Sequence, residues 1–133
     1  MTDPRKAIQD AIYDVLTTAG LTALVDPAET DAVPYTVFGG GTMINGPLET
    51  KTTDGAEVTH TLVSWAEDVH TAQANASTGL DAITDRDAGL SVTGYSLVMC
   101  RHDFSGDLLR DTTEPDKILY GVPYRVRIVV QHP

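Results

Sequence analysis

Apolar residues near the start of the chain recur at intervals of three and four, which is the spacing of one face of an α-helix. This first stripe consists of Ile8, Ala11, Ile12, Val15 and Leu16. The pattern predicts an amphipathic helix from Asp3 to Ala19. Asp3 is the expected N-cap, and Pro4 takes the first helical position, where a missing N–H costs nothing. Gly20 follows as the residue expected to end the helix.

A second stripe with helical spacing begins after Asp68, whose carboxylate can cap a helix. Its members are Val69, Ala72, Ala76, Leu80 and Ile83. Gly89 is the predicted C-terminal end. Because the stripe is narrow, we expect this helix to pack against a sheet with one side only.

Four other segments have the composition or the alternation of β-strands. They are Pro34–Phe38, Glu57–Trp65, Tyr95–His102 and Ile118–Gln131. The proline stands at the start of its strand, where a backbone donor is dispensable. Tyr95–His102 has apolar residues on both faces, so we expect a central strand.

The second and fourth of these strands have faces that the alternation defines. In Glu57–Trp65, one face carries Val58, His60 and Leu62, and the other carries Thr59, Thr61, Val63 and Trp65. In the last strand, Arg125, Arg127 and Gln131 lie opposite Val122, Tyr124, Val126, Ile128 and Val130. Gly121 or Pro123 could interrupt this strand.

Three segments remain as connections. Leu21–Asp31 is a connector that we expect to be anchored in the core by Leu24 and Val25. Gly39–Gly55 is long for so small a domain and is predicted to be a flexible hairpin arm that reaches a neighbouring subunit. Asp103–Lys117 is an acidic insertion between strands.

Together these elements predict one α+β domain spanning residues 1–133. Two helices pack on one face of a mostly antiparallel sheet of about four or five strands, and a long hairpin arm projects from it.

Composition limits the partners. Nineteen acidic and nine basic residues give a net charge of −10, which excludes DNA binding through phosphate neutralisation.

The single cysteine, Cys100, excludes an intrachain disulfide and fits synthesis in a reducing cytoplasm. The N-terminus lacks the apolar region of a signal peptide, and no apolar run approaches the roughly 18 residues of a membrane span. We expect a soluble protein without membrane contact. The lean core, with 6% aromatic residues, favours an oligomer.

No motif indicates catalysis, a cofactor or a metal. Gly41 and Gly46 have the spacing of P-loop glycines, but Pro47 and Leu48 replace the required Lys and Ser/Thr. The run that begins His102-Asp103 contains the residue types of a hydrolytic triad, but neighbouring side chains of a strand point to opposite faces. The four histidines lack the spacing of zinc ligands.

Arg125 and Arg127 are more informative, because two like charges on one strand face of an acidic protein need acidic partners. Two interpretations stand side by side. Either these residues are solvated, or they pair with carboxylates across a subunit interface.

The order of signatures along the chain resembles the tail terminator (tail completion, head-to-tail joining) proteins of long-tailed bacteriophages and gene transfer agents. The resemblance is carried by Pro34-Tyr35 after the first helix, by Trp65 leading into the second helix, and by the terminal Tyr124-Arg125-Val126 strand. It spans the chain from the first helix to Val130, and the acidic insertion departs from it.

The resemblance implies a homohexameric ring that caps the tail tube, ends its polymerisation and joins the tail to the head connector. DNA would pass through the lumen without specific binding, and the protein would lie at the tail–neck junction of the particle after synthesis in the bacterial cytoplasm. Candidate subunit-interface residues are Gly39, Gly40, Gly41, Met43, Ile44, Asn45, Leu48, Arg125 and Arg127. The alternatives are a head-closure (stopper) protein of the same neck, or a small cytoplasmic ligand-binding domain or enzyme.

Overall fold

A computed structural model describes residues 4–25, 32–39, 55–85, 89–113 and 117–131, together with the backbone of residues 42–45. These residues form two α-helices and seven β-strands. In chain order they are α1 (Arg5–Thr18), β1 (Ala23–Leu24), β2 (Tyr35–Val37), β3 (Thr42–Asn45), β4 (Gly55–Ala66), α2 (Val69–Thr84), β5 (Ser96–Ser105), β6 (Leu109–Asp111) and β7 (Leu119–Gln131).

The strands form one mixed sheet in the order β1-β2-β4-β7-β5. β3 pairs with β4 beyond β2, and β6 pairs with β7 beyond β5. Every described pairing is antiparallel except that of β1 with β2. The predicted α+β class is confirmed, and the sheet exceeds four or five strands because short strands form in segments that the sequence marked as connections.

Helix α1 begins one residue later than predicted, at Arg5 instead of Pro4. Pro4 is its N-cap, without a side-chain capping hydrogen bond, and the predicted cap Asp3 lies outside the described residues. At the other end Gly20 follows the helix end, as predicted, and it adopts a φ of 88°. The Gly20 N–H donates to the Thr17 carbonyl and the Leu21 N–H to the Leu16 carbonyl, which is a Schellman C-cap.

Helix α2 has the predicted N-cap. The Asp68 carboxylate accepts a 2.9 Å hydrogen bond from the Thr71 N–H, and a second one from the Thr71 hydroxyl. The predicted end at Gly89 is wrong, because the helix ends at Thr84 and Asp85 is already extended. Its buried residues are Ala72, Ala76, Gly79 and Ile83, while Leu80 is only partly buried.

Strand β7 is the centre of the sheet and runs unbroken through Gly121 and Pro123. On one side it pairs with β4 over the whole length of β4. On the other side the pairing with β5 ends at Tyr124 and that with β6 begins at Gly121. The Pro123 carbonyl points into this gap, where it accepts a bond from the Gly106 N–H. In a β-strand the N–H of a residue points to the same side as its carbonyl. The missing N–H of Pro123 would therefore also point into the gap, and its absence breaks no hydrogen bond with β4, β5 or β6.

Strand β5 was predicted to be central, and this is wrong: it lies at the edge of the sheet. Because no described strand covers its outer side, two of its apolar residues are exposed: Leu97 is 40% exposed and Val98 is 49% exposed. Two register irregularities, at Val98 and Asp103, shift the strand against β7.

The core lies between the two helices and the sheet face made by alternate residues of β4 and β7. Fully buried members include Ile8, Ile12, Leu16, Val58, Leu62, Ile83, Val126, Ile128 and Val130. In the connector after α1, Ala23 and not Val25 is buried, since Val25 is 48% exposed. The connector pairs with β2 through two backbone bonds, from the Thr36 N–H to Thr22 and from the Phe38 N–H to Leu24.

Candidate interaction surface

One face of the sheet carries no helix within the described part of the chain, and we call it the open sheet face. It consists of the residues of β4 and β7 that alternate with the core residues, their register partners on β5 and β6, and Tyr35 and Val37 of β2. The register aligns its side chains in rows across the strands. The predicted division of β4 and β7 into two faces is confirmed, because the opposite set points into the core.

The end of the open sheet face nearest α2 is apolar. Tyr35, Trp65, Gly121 and Leu109 form one cross-strand row on β2, β4, β7 and β6. The Trp65 ring lies over Gly121, where a Cβ would come within 2.8 Å of it. Trp65 is only partly buried and Leu109 is 41% exposed, so this end offers apolar area to a partner.

The middle of the open sheet face is charged. Arg125 Nε donates to Asp103 Oδ2 at 2.8 Å. Arg127 Nε lies 2.5 Å from Glu57 Oε1 and forms an ion pair, although this Nε has no hydrogen bond of good geometry. Arg101 is the register partner of Arg127 and is exposed.

The sequence placed Arg125 and Arg127 on one face correctly, but it missed their partners. Asp103 reaches Arg125 from the bulge in β5, and Glu57 lies diagonally across from Arg127 on β4. Both carboxylates belong to the same chain, whereas pairing with an adjacent chain stays a prediction. The alternation of β4 already places Glu57 on the same face as Thr59, so this partner could have been found from the sequence. No local pattern reveals the bulge that brings Asp103 to Arg125.

The candidate interface residues of the arm are described only in part. Gly39 is described and packs closely on the connector, since a Cβ there would lie 2.5 Å from the Val25 carbonyl oxygen. Met43, Ile44 and Asn45 lie in β3, whose backbone pairs with β4 from Thr59 to Ala56, and so this part forms a hairpin with its own sheet. Gly40, Gly41 and Leu48 lie outside the described residues. Contact of the arm with a neighbour stays a prediction.

The opposite, helical side of the molecule contains a groove between α1 and the segment 89–95. Two adjoining depressions of about 370 and 360 Å³ share Ala11, Asp14 and Ser91 in their walls. Asp10 lines one depression and Asp85 the other. Lys6 also lines the groove but is paired with Asp10 at 3.0 Å. The groove is therefore acidic.

Strand pairing organises the described residues of the acidic insertion. β5 continues to Ser105, three residues beyond its predicted end, and β6 pairs with β7. The Asp111 carboxylate accepts bonds from the N–H and the hydroxyl of Thr113, which lowers the pKa of Asp111.

His102 and Ser105 are closer than strand alternation predicts. The bulge at Asp103 brings them to one side, where His102 Nε2 and Ser105 Oγ lie 2.8 Å apart. The pair is exposed, and Asp103 is engaged by Arg125 on the other face. Within the described ranges no carboxylate bonds to the second nitrogen of His102, so the arrangement lacks the orienting group of a hydrolytic triad.

Burial shifts the pKa of His60, which lies in the core, and of Cys100, which is partly buried beside it. His60 is 1% exposed, and burial lowers its pKa below the ordinary value while the backbone of Phe38 opposes the shift weakly. Burial raises the pKa of the Cys100 thiol to about 11. Among the described residues, no group of three potential metal ligands occurs, and no helix is long and apolar enough to cross a membrane.

No family model and no curated protein matches this chain. Among solved structures, a chain from a structure described as "Virion of native gene transfer agent (GTA) particle" has a similar fold, with a TM-score of 0.72. The alignment covers 98% of this chain and 99% of that chain at 19% sequence identity. The two chains thus share one fold over nearly their whole lengths. Gene transfer agents are one of the two kinds of particle whose proteins the sequence resembles.

Proposed function

We propose that this protein is a structural component of a gene transfer agent or phage particle, in which it forms a ring that caps the tail tube. The observation that carries the proposal is the whole-length fold similarity to a chain of a gene transfer agent particle. The alignment covers 98% of this chain and 99% of that chain, so the similarity is not confined to one part of either. The order of sequence signatures supports the finer assignment to a tail terminator.

The surfaces of the molecule fit an assembly role. The open sheet face combines a partly exposed tryptophan with three arginines, and both residue types are enriched at protein interfaces. Edge strand β5 exposes Leu97 and Val98 as a further area for contact. In the ring the subunits number six, the tail tube protein lies on one side, and the head connector or stopper lies on the other. DNA passes through the lumen without specific binding, at the tail–neck junction.

The decisive experiment removes the gene from the producing cell and examines the particles by electron microscopy. A tail terminator stops tube growth, so its loss gives tails of abnormal and variable length that lack heads. Complementation with the intact gene restores tail length. Tails of normal, uniform length would contradict the assignment.

The same micrographs distinguish a tail terminator from a head-closure or stopper protein of the neck. Loss of a head-closure or stopper protein leaves tails of normal length beside heads that have lost their DNA. This alternative rests on the same fold similarity, which does not distinguish proteins of one particle by position.

An enzyme or ligand-binding domain is the alternative from another class, and the His102–Ser105 pair is the observation in its favour. His102→Ala and Ser105→Ala should leave both the assembly and the activity of the particles unchanged if the protein is structural. Variants that assemble normally but yield inactive particles would support chemistry at this pair.

A further inference from the structure

The middle of the open sheet face and the helical side of the molecule carry net charges of opposite sign. In the middle of the open sheet face, Arg101, Arg125 and Arg127 stand against Glu57 and Asp103, which leaves one net positive charge there, while Asp111 lies apart from them on β6, beside Leu119. The whole chain has a charge of −10, so this middle region is a local exception.

Arg101 is the source of the excess. It lies beside Arg127 in register, and the two like charges repel unless an acid approaches them. Asp103 and Glu57 are already engaged by Arg125 and Arg127. Within the described part of the chain no ion pair of Arg101 is present, so its guanidinium is available to a carboxylate from outside.

The helical side has the complementary charge. Residues 4–25 and 68–85 contain five aspartates against Arg5 and Lys6, for a net charge of −3. The groove along α1 displays Asp14, which is exposed and has no ion pair among the described residues. Each of its two depressions, at about 370 and 360 Å³, has room for a side chain from another molecule.

We propose that the open sheet face of one copy packs on the helical side of the next copy, with Arg101 inserted into the groove beside Asp14. This inference rests on the proposed ring function and names the surfaces that form the ring. Opposite faces of one chain meet, so the contact is heterologous and repeats head to tail, which is the arrangement that closes into rings. The apolar row that contains Trp65 and Leu109 supplies the buried area.

The proposal also explains how copies of so acidic a protein associate. A two-fold contact of sheet face with sheet face would bring together two regions with the same excess of positive charge. A contact of helical side with helical side would bring together two acidic surfaces. The mixed contact brings surfaces of unlike net charge together.

Charge reversal tests the contact in the purified full-length protein. Arg101→Glu and Asp14→Arg are each expected to lower the apparent association constant at least tenfold, measured by native mass spectrometry and analytical ultracentrifugation. Arg110→Glu is the matched control for Arg101→Glu, because Arg110 is exposed, alternates with Leu109 of the open sheet face and does not line the groove. Circular dichroism melting of each variant shows that the fold is retained.

Mixing the two variants distinguishes a head-to-tail contact from any other. When copies of the two variants alternate, the reversed sheet face of Arg101→Glu meets the reversed groove of Asp14→Arg, so unlike charges are again opposed. At the next contact, the unmodified Arg101 meets the unmodified Asp14. An equimolar mixture should therefore assemble with an even number of subunits although neither variant assembles alone.

Failure of this inference is separable from failure of the proposed function. If Arg101→Glu or Asp14→Arg assembles like the wild type, or if the mixture does not recover, the contact is wrong even where rings are seen. If the wild-type protein stays monomeric at high concentration and gene deletion leaves tails unchanged, the ring function and the contact both fall.

Discussion

His60 is a core residue whose protonation is expected to destabilise the fold at mildly acidic pH. Neither ring nitrogen has a hydrogen-bond partner of good geometry among the described residues, and the side chain is 1% exposed. Burial lowers the pKa in the folded state below the ordinary value of 6.5, so the unfolded chain binds the proton more readily. Stability is then fully present above pH 6.5 and falls as the pH drops below it, by at most about 1.4 kcal/mol per pH unit.

The His60→Leu variant tests this dependence. We expect it to be about as stable as the wild type at pH 7.5, because no hydrogen bond of good geometry is lost, and to lose less stability between about pH 7.5 and 5. The measurement is urea unfolding across that pH range, with His102→Ala as an exposed control. If wild type and variant decline in parallel, the buried histidine is not the cause.

Cys100 gives a second prediction at this scale. Its thiol donates weakly to the Ile83 carbonyl at 3.5 Å, and its pKa of about 11 leaves almost no thiolate at pH 8. The folded protein should therefore react with a thiol reagent far more slowly than the urea-unfolded chain, which the rate of labelling measures. Equal rates in the two states would show that the thiol is accessible.

At the scale of elements, α2 lies so close to β7 that Gly79 is required in the middle of the helix. A Cβ at this position would overlap the Tyr124 hydroxyl, which is buried and has no described hydrogen-bond partner. Gly79→Ala should therefore destabilise the protein by about 1–3 kcal/mol, although alanine is normally the better helix former. In a Tyr124→Phe background the same change should cost much less, because the overlapping oxygen is gone.

Urea unfolding of the two single variants and the double variant measures this coupling, and Thr78→Ala on the exposed side of α2 is the control. Tyr124→Phe alone should be nearly neutral, since its hydroxyl has no described bond to lose. An equal cost of Gly79→Ala in both backgrounds would mean that α2 and β7 are not in tight contact through this pair.

Local patterns predicted the elements themselves better than their places in the sheet. The Asp68 cap and the Gly20 stop depend on neighbouring residues only, so the sequence reveals them. The edge position of β5 depends on which strands pair with β7 over long sequence distances, and apolar residues on both faces indicate a central strand equally well. The ion pair of Arg125 and Asp103 on the open sheet face could not be predicted either, because it depends on a bulge in β5 that leaves no trace in the periodicity of the sequence.

At the scale of the whole molecule, the sandwich is electrostatically asymmetric, with an acidic helical side and arginines on the open sheet face. If those arginines are used between subunits, the surfaces that remain exposed in a ring are predominantly acidic. Six copies at −10 each carry about −60 before counterions, so the lumen is expected to be neutral or electronegative.

The assembled protein should consequently not bind DNA, because a passing duplex finds few cations to replace its counterions. Fluorescence anisotropy of a labelled duplex, titrated with the assembled wild type at about 50 and 200 mM salt, should show no binding at either concentration. The Arg101→Glu variant, used at a concentration at which it is monomeric, exposes Arg125 and Arg127, and yet each of them keeps its own carboxylate, so we expect no binding from it either. Binding that weakens steeply with salt would reveal a cluster of cations facing the duplex, and the arginines would then line the lumen rather than the contact between subunits.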